Sequence, residues 1–558
     1  DDDNIATIDD QDQDDCSEVN IPLINENLQD HEQRLEDESN GNETDNVSKE
    51  DLERAILRIL EAKVKNGWSR SETLKEIRNI YELFKNERIP HQSWNAVLQF
   101  LRKLGYKDPQ NFKVCIGKNH VTLVEYEQNC SNCEKPWNKC TDYFVLGLQP
   151  ENYFLNEPTI KDHLEHWLNK HEWMDENSNK CYKEVWHGER FKELSYFWDE
   201  NVETFLPVCC PNCDTIISVE DMENLVFPNS TLHDRLYLSC PECTFDFVHE
   251  PKKMRGNPLN QAFIFHEDGF NAFEKKSRGI SAIHISSACI SKEKRLNGQY
   301  MRVYSFIPSV LLPEGVPHKM DAFLEPLINE VKKLYIEGIN VKIEQQISIK
   351  DVIIHPGEYT VRTLLLLGTA DLKGHQEIVL HCGGGKVGCR RCVTHGVYIP
   401  VKRHYYYGHF GVRYRSPSAP KTVQYLMQHG KEVDNAMTLR ERKRIQTDTG
   451  VSGVSILCRL YALYRFDPVQ DMVIDRMHLT FNMLKRELID QIWVDMGENV
   501  GRSVNARYPT GGGLIDRDDF SSALAVVNWP KEEKASGVAR VTSLTDKMGG
   551  WKSNDFKK

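Results

Sequence analysis

Hydrophobic positions in residues 49–110 recur at three- and four-residue intervals. Leu52, Ile56, Ile59, Leu60 and Val64 share one helical face, with Ser48 or Asp51 as cap and Gly67 as terminator. The same spacing predicts helices over 71–85 and 93–104. Such a bundle can bind DNA as a helix-turn-helix does, although most three-helix segments are packing units. Residues 146–205 are mixed, with a helical stretch at 160–171 and many aromatics. From about Gln261 the pattern changes to strands, as β-branched and aromatic residues concentrate in 262–266, 280–286 and 301–307. A helix follows at 320–337, with Leu324, Leu327, Ile328, Val331, Leu334 and Tyr335 on one face. The strand at 363–368 contains Leu364 to Leu367 and reads as buried. Three strands, a helix and a further strand suit an RNase H-like core within a multi-domain α/β chain.

Composition changes this picture at the N-terminus. Residues 1–50 hold 18 Asp+Glu against 2 Lys+Arg, so the net charge of -13 arises from an acidic tail on a mildly basic body. Residues 1–48 carry too few apolar side chains to pack, which predicts a disordered tail. No apolar run approaches the roughly 20 residues of a membrane helix, so no membrane association is expected.

The 16 cysteines are grouped rather than scattered. Cys210-x2-Cys213 and Cys240-x2-Cys243 are two knuckles that together complete the S4 shell zinc prefers, a closed structural site within a ribbon over 206–250. Cys209 could replace Cys210. Residues 111–145 hold a second zinc-binding segment, in which Cys130 and Cys133 form a knuckle. Cys115 joins them with either His120 or Cys140. Cys389-x2-Cys392 is a third pair, weak when taken alone.

Five strings in order then carry a resemblance. Phe263-Ile-Phe-His-Glu-Asp268-Gly269, the helix from Asp321 to Glu330, Gly368-Thr-Ala-Asp371, Gly388-Cys-Arg-Arg-Cys392 and Asp475-Arg-Met-His478 resemble the DDE-type DNA transposases of the CACTA (En/Spm) class. The similarity runs from about Asn111 to the C-terminus. It implies a core over 255–558 with a basic insertion at about 381–470. It further implies catalytic Asp268 and Asp371 holding Mg²⁺ (or Mn²⁺), and a Zn²⁺ on Cys389, Cys392 and His478 with one further ligand. The family's third acid falls on Asp555 in Trp551-Lys-Ser-Asn-Asp555, close to a C-terminus that reads as truncated; Glu487 is the alternative.

Residues 402–444 contain ten Lys/Arg against three Asp/Glu, interleaved with Tyr405, Tyr406, Tyr407 and Tyr414. Lys402, Arg403, Arg413, Arg415, Lys421, Arg440, Arg442, Lys443 and Arg444 are candidates for DNA contact. The expected activity is cutting transposon ends and joining the 3′-OH to target DNA, in a homo-oligomer in the nucleus. The alternative is a domesticated or truncated, non-catalytic zinc protein that binds DNA or chromatin.

Overall fold

The computed structural model describes residues 54–474 apart from 61–62, 64–69, 84–93, 104–106, 151–154, 156, 169–172, 175–179, 182–184, 226–234, 272–278, 296–299, 315, 317, 350–351, 384, 401–403 and 407–418. The acidic tail, His478, Glu487 and Asp555 lie outside the described residues, as do Lys402, Arg403, Arg413 and Arg415.

The N-terminal helices are present at 54–60, α1 (Arg70–Leu83) and α2 (Trp94–Lys103). Ile56, Leu60, Ile77, Val97, Phe100 and Leu101 meet in one small apolar cluster, as the helical spacing predicts.

The largest sheet has eight strands. In chain order they are β1 (Gln110–Ile116), β2 (Val121–Val124), β3 (Thr141–Val145), β4 (Gln261–Asn271), β5 (Gly279–Ser287), β6 (Met301–Pro308), β7 (Thr363–Ala370) and β8 (Met472–Ile474). Their spatial order is β2-β1-β3-β6-β5-β4-β7-β8. β4, β5 and β6 form an antiparallel meander, while β7 runs parallel to β4 and β8 parallel to β7. Leu364, Leu365 and Leu366 are fully buried, because a parallel strand covered on both faces needs a continuous apolar run. The helix α3 (Asp321–Ile336) connects β6 to β7 and turns Leu324, Leu327, Ile328, Val331, Leu334 and Tyr335 onto the sheet.

Two features tie neighbouring segments to this sheet. Residues 111–145 are not a separate module, since β3 pairs with the core at Ser305↔Val145. Tyr143 reinforces the junction, donating its hydroxyl proton to Ser305 Oγ at 2.6 Å, with Phe323 O at 3.1 Å. Beyond α4 (Leu372–Val379), the 381–470 segment folds back on the core through α5 (Val423–Asp434), α6 (Leu439–Thr449) and α7 (Cys458–Tyr464). Leu457, Leu460, Phe466 and Val469 join the main core. His318 fastens the insertion: Nδ1 meets Asp321 at 2.9 Å and Nε2 meets Asp434 of α5 at 2.8 Å. Asp434 Oδ2 accepts from Val454 N at 3.0 Å.

Candidate functional site

Each Cys-x2-Cys knuckle of the two cysteine-rich segments is built the same way. The amide of the first cysteine donates to the carbonyl five residues on, and its own carbonyl accepts from the amide four residues on. These pairs are Cys130–Lys135 and Glu134–Cys130, Cys210–Thr215 and Asp214–Cys210, and Cys240–Phe245 and Thr244–Cys240, all between 2.8 and 2.9 Å. Glu134, Asp214 and Thr244 consequently have left-handed φ of 58°, 59° and 55°. This turn points both thiols of a knuckle to one side.

Two knuckles face each other in the 206–250 ribbon. Cys210 Sγ lies 3.6 Å from Cys243 Sγ, and Cys213 Sγ lies 3.6 Å from Cys240 Sγ. All four sulfurs fall within 4.8 Å of one another. A tetrahedron with metal–sulfur bonds of roughly 2.3 Å has edges of about 3.8 Å, so the thiols already stand where one ion would hold them. Burial pushes the Cys240 thiol up to about 11, while the Asn212 side chain leads the groups that bring Cys243 down to about 6. Four protein sulfurs would fill a tetrahedral shell and leave no position for water, which suits a structural ion rather than a catalytic one. Cys209 pairs with Ile216 in a neighbouring strand and is not part of it.

In the first segment Cys115, His120, Cys130 and Cys133 form a second such group. Cys115 Sγ is 3.5 Å from Cys133 Sγ, and Cys130 Sγ is 3.5 Å from His120 Nε2. Of the two candidates, His120 falls within the group and Cys140 does not. Cys140 is buried beside Cys115 and Cys130, its thiol 3.5 Å from Pro136 O. The β1–β2 turn carries His120 back over Gly117, where any side chain would strike the imidazole ring. Burial raises the Cys115 thiol well above its usual range, aided by the neighbouring thiols. Crowded sulfurs of this kind fit a divalent, thiophilic cation such as zinc.

The acidic pair sits where the parallel pairing of β4 with β7 ends. Glu267 is in register with Ala370, and the next residues along are Asp268 and Asp371. Neighbouring strand backbones are about 4.8 Å apart. Asp268 lies within β4 rather than at its end and is exposed; Asp371 follows β7 directly. Asp371 caps α4, its Oδ1 accepting from Gly374 N at 2.6 Å. Glu267, on the opposite face from Asp268, is 7% exposed and pressed against Gly374. Burial raises its carboxyl to about 7, the Ser281 hydroxyl opposes this, and Asp371, Glu377 and Asp268 add repulsion. The sequence reading overlooked Glu267, although strict two-residue alternation along β4 would have set it inward.

The third cysteine pair is placed differently. Arg391 N donates to Cys389 Sγ at 3.4 Å, and Cys392 Sγ lies 2.9 Å from Thr394 Oγ1. Among the described residues, no third side chain closes with this pair into an ion-sized group. Nearby, His375 and His381 pack ring to ring at 5.6 Å, both kept neutral by burial, with pKa about 3.

The basic segment divides. Arg440, Lys443 and Arg444 are exposed on α6 and Arg442 is half-buried there. Lys421 must be removed from the candidates for DNA contact, for it is 1% exposed. Its ammonium lies 3.5 Å from Gly450 O and 6.0 Å from the Tyr425 ring centroid; burial pushes its pKa down, which Cys389, Cys382 and Cys392 oppose only in part.

No protein-family model matches the chain, and no curated protein matches it significantly. Among the described residues no helix is long and apolar enough to cross a membrane.

Proposed function

We propose that the chain is a DDE-type DNA transposase similar to the CACTA class, with an RNase H-like core and structural zinc in its two complete cysteine clusters. One observation carries the reading: Asp268 and Asp371 each stand one residue beyond the last paired residues, Glu267 and Ala370, of two parallel strands. The strand order supports it. Numbered along the chain from β4, the five strands β6-β5-β4-β7-β8 lie in the order 3-2-1-4-5, which is the order of an RNase H-like sheet.

Asp268 and Asp371 would hold Mg²⁺ or Mn²⁺, hard ions that suit an all-carboxylate donor set. When bound, a metal pair activates the attacking oxygen and stabilises the leaving oxygen of a phosphodiester. The protein's own part is to position. β4 fixes one carboxylate from the strand, and the α4 cap fixes the other through Gly374. A cation held by the pair would relieve the repulsion that Asp371 and Asp268 exert on the buried Glu267 carboxyl. Asp555, or Glu487 in its place, completes the triad in this reading, and His478 joins Cys389 and Cys392 on a third zinc. The exposed cations of α6 contact DNA backbone, in a nuclear homo-oligomer assembled on transposon ends and target.

The test is incubation of the chain with labelled duplex carrying the flanks of its own gene, an unlabelled plasmid and Mg²⁺. Excised ends and labelled plasmid are expected. Nicking without joining would reduce the reading to a nuclease, and an inert protein with intact DNA binding would favour the domesticated alternative.

A further inference from the structure

A polar trough lies at the amino-terminal end of β4, away from the acidic pair. Its near wall is the strand Lys253–Arg255, paired with Glu203–Phe205. Met254 is buried, so Lys253 and Arg255 both point outward, the alternation a half-buried strand dictates. The far wall is the strand Gly357–Val361 and the following Arg362. The space is about 520 Å³ and includes Asn201 and Tyr359. It runs into a second space of about 490 Å³ that shares Lys253 and Arg362 and adds Lys252.

Four cations therefore line one continuous feature, against Glu200 and Glu337. Their pairing is the informative part. Arg362 gives Nη1 to Tyr335 O at 2.6 Å and to Ile336 O, which closes the last turn of α3. Arg255 gives Nε to Glu200 O at 2.5 Å. Both contacts are to neutral carbonyls. Lys253 reaches a carboxylate only at 3.9 Å, on Glu203, and stands 5.2 Å from the Phe205 ring centroid. Among the described residues, Lys252, Arg255 and Arg362 have no ion pair. Cations that line a concave wall with dipoles rather than carboxylates for partners are arranged for an anion from outside.

We propose that this trough binds the phosphodiester backbone of a single nucleic-acid strand. Guanidinium and ammonium groups suit phosphate, and the space takes one or two nucleotides but no duplex. Tyr359 offers a ring for a base, the combination by which single strands are held without sequence preference. The inference rests on the nucleic-acid part of the function proposed above, and is independent of metal chemistry at Asp268 and Asp371.

The test is fluorescence anisotropy of a labelled oligothymidylate with the full chain over a range of salt. The double variant Lys253→Gln/Arg255→Gln is compared with the parent and with Asp268→Asn/Asp371→Asn. Both substituted cations are exposed, so folding, checked by circular dichroism, is expected to survive. The trough variant should bind at least about tenfold more weakly, with a slope of log affinity against log salt reduced by about 1.4, the loss of two single-strand phosphate contacts. The aspartate variant should bind as the parent does. Equal binding by parent and trough variant would overturn the trough while leaving DNA binding elsewhere intact. No binding by the parent would overturn the nucleic-acid reading as well. Displacement by thymidine monophosphate at equal phosphate concentration would assign the site to free nucleotides and overturn the strand.

Discussion

Substituting Cys213 and Cys243 together with serine removes one thiol from each knuckle of the ribbon. The ribbon's own core is small: Val208, Ile217, Met222, Leu236 and Leu238 are its buried apolar side chains. So few buried side chains give a segment of this length little hydrophobic support of its own. A structural zinc contributes on the order of 10–16 kcal/mol in small metal-folded domains, so its loss should release the ribbon. Metal content per chain, read by native mass spectrometry with parallel elemental analysis, should fall by one ion. Limited proteolysis should then cut within 206–250 in the variant and spare the parent, while α3 and the main sheet stay protected. Unchanged metal content with unchanged protection would refute the reasoning, since the four sulfurs would then be ordinary thiols. Metal bound at either cysteine cluster should also be released as pH falls, because protons compete for thiolate.

Three further outcomes follow from individual residues. Gly117→Ala should cost the Cys115 cluster its ion, read as a second, separable drop in metal content, because the added methyl meets the His120 ring; full occupancy would show that His120 is not a ligand. Leu365→Ala, in the fully buried parallel strand, should destabilise the core by about 2–5 kcal/mol in chemical denaturation; a loss below 1 kcal/mol would argue against the doubly covered sheet. His318 should make stability pH-dependent: burial depresses its pKa, but Asp321 and Asp434 outweigh this and raise it to about 9. A raised histidine stabilises fully below its unfolded value of about 6.5 and loses that contribution as pH rises through about 9, with burial of Asp321 offsetting part of it. The melting temperature of the parent should therefore fall relative to His318→Ala between those values; parallel curves would remove the clamp.

How much of this was readable in the chain depended on the range of the interaction. Knuckles were legible because each is a six-residue turn whose hydrogen bonds and thiols are local. The strands of the meander and α3 were legible because burial imposes a period on them; β5, β6 and α3 match their expected limits to within one residue, whereas β4 runs five residues further, to Asn271. The union of β3 with β6 was not legible, since it rests on one backbone pairing and on Tyr143, whose partners lie 162 and 180 residues away. Choosing His120 over Cys140 needed the β1–β2 turn, which spacing alone did not supply. Lys421 was misjudged because a count of basic residues treats every lysine as surface, whereas the Gly450 carbonyl and three thiols give this one a buried environment. The strand β8 was missed as only three residues long, recognisable by its pairing with β7 and not by its own pattern.

The central claim is that Asp268 and Asp371 act together on nucleic-acid phosphodiesters. It is tested most directly by measuring Mg²⁺- or Mn²⁺-dependent cleavage of labelled DNA by the parent, Asp268→Asn and Asp371→Asn, with DNA binding and melting temperature recorded alongside. The account predicts cleavage that leaves a 3′-OH in the parent. Each substitution should lower the rate by about 10³-fold or more, a loss of at least 4 kcal/mol of transition-state stabilisation, with binding and folding nearly unchanged. Cleavage that persists in both variants, or a parent that binds DNA and metal yet never cuts, would contradict it.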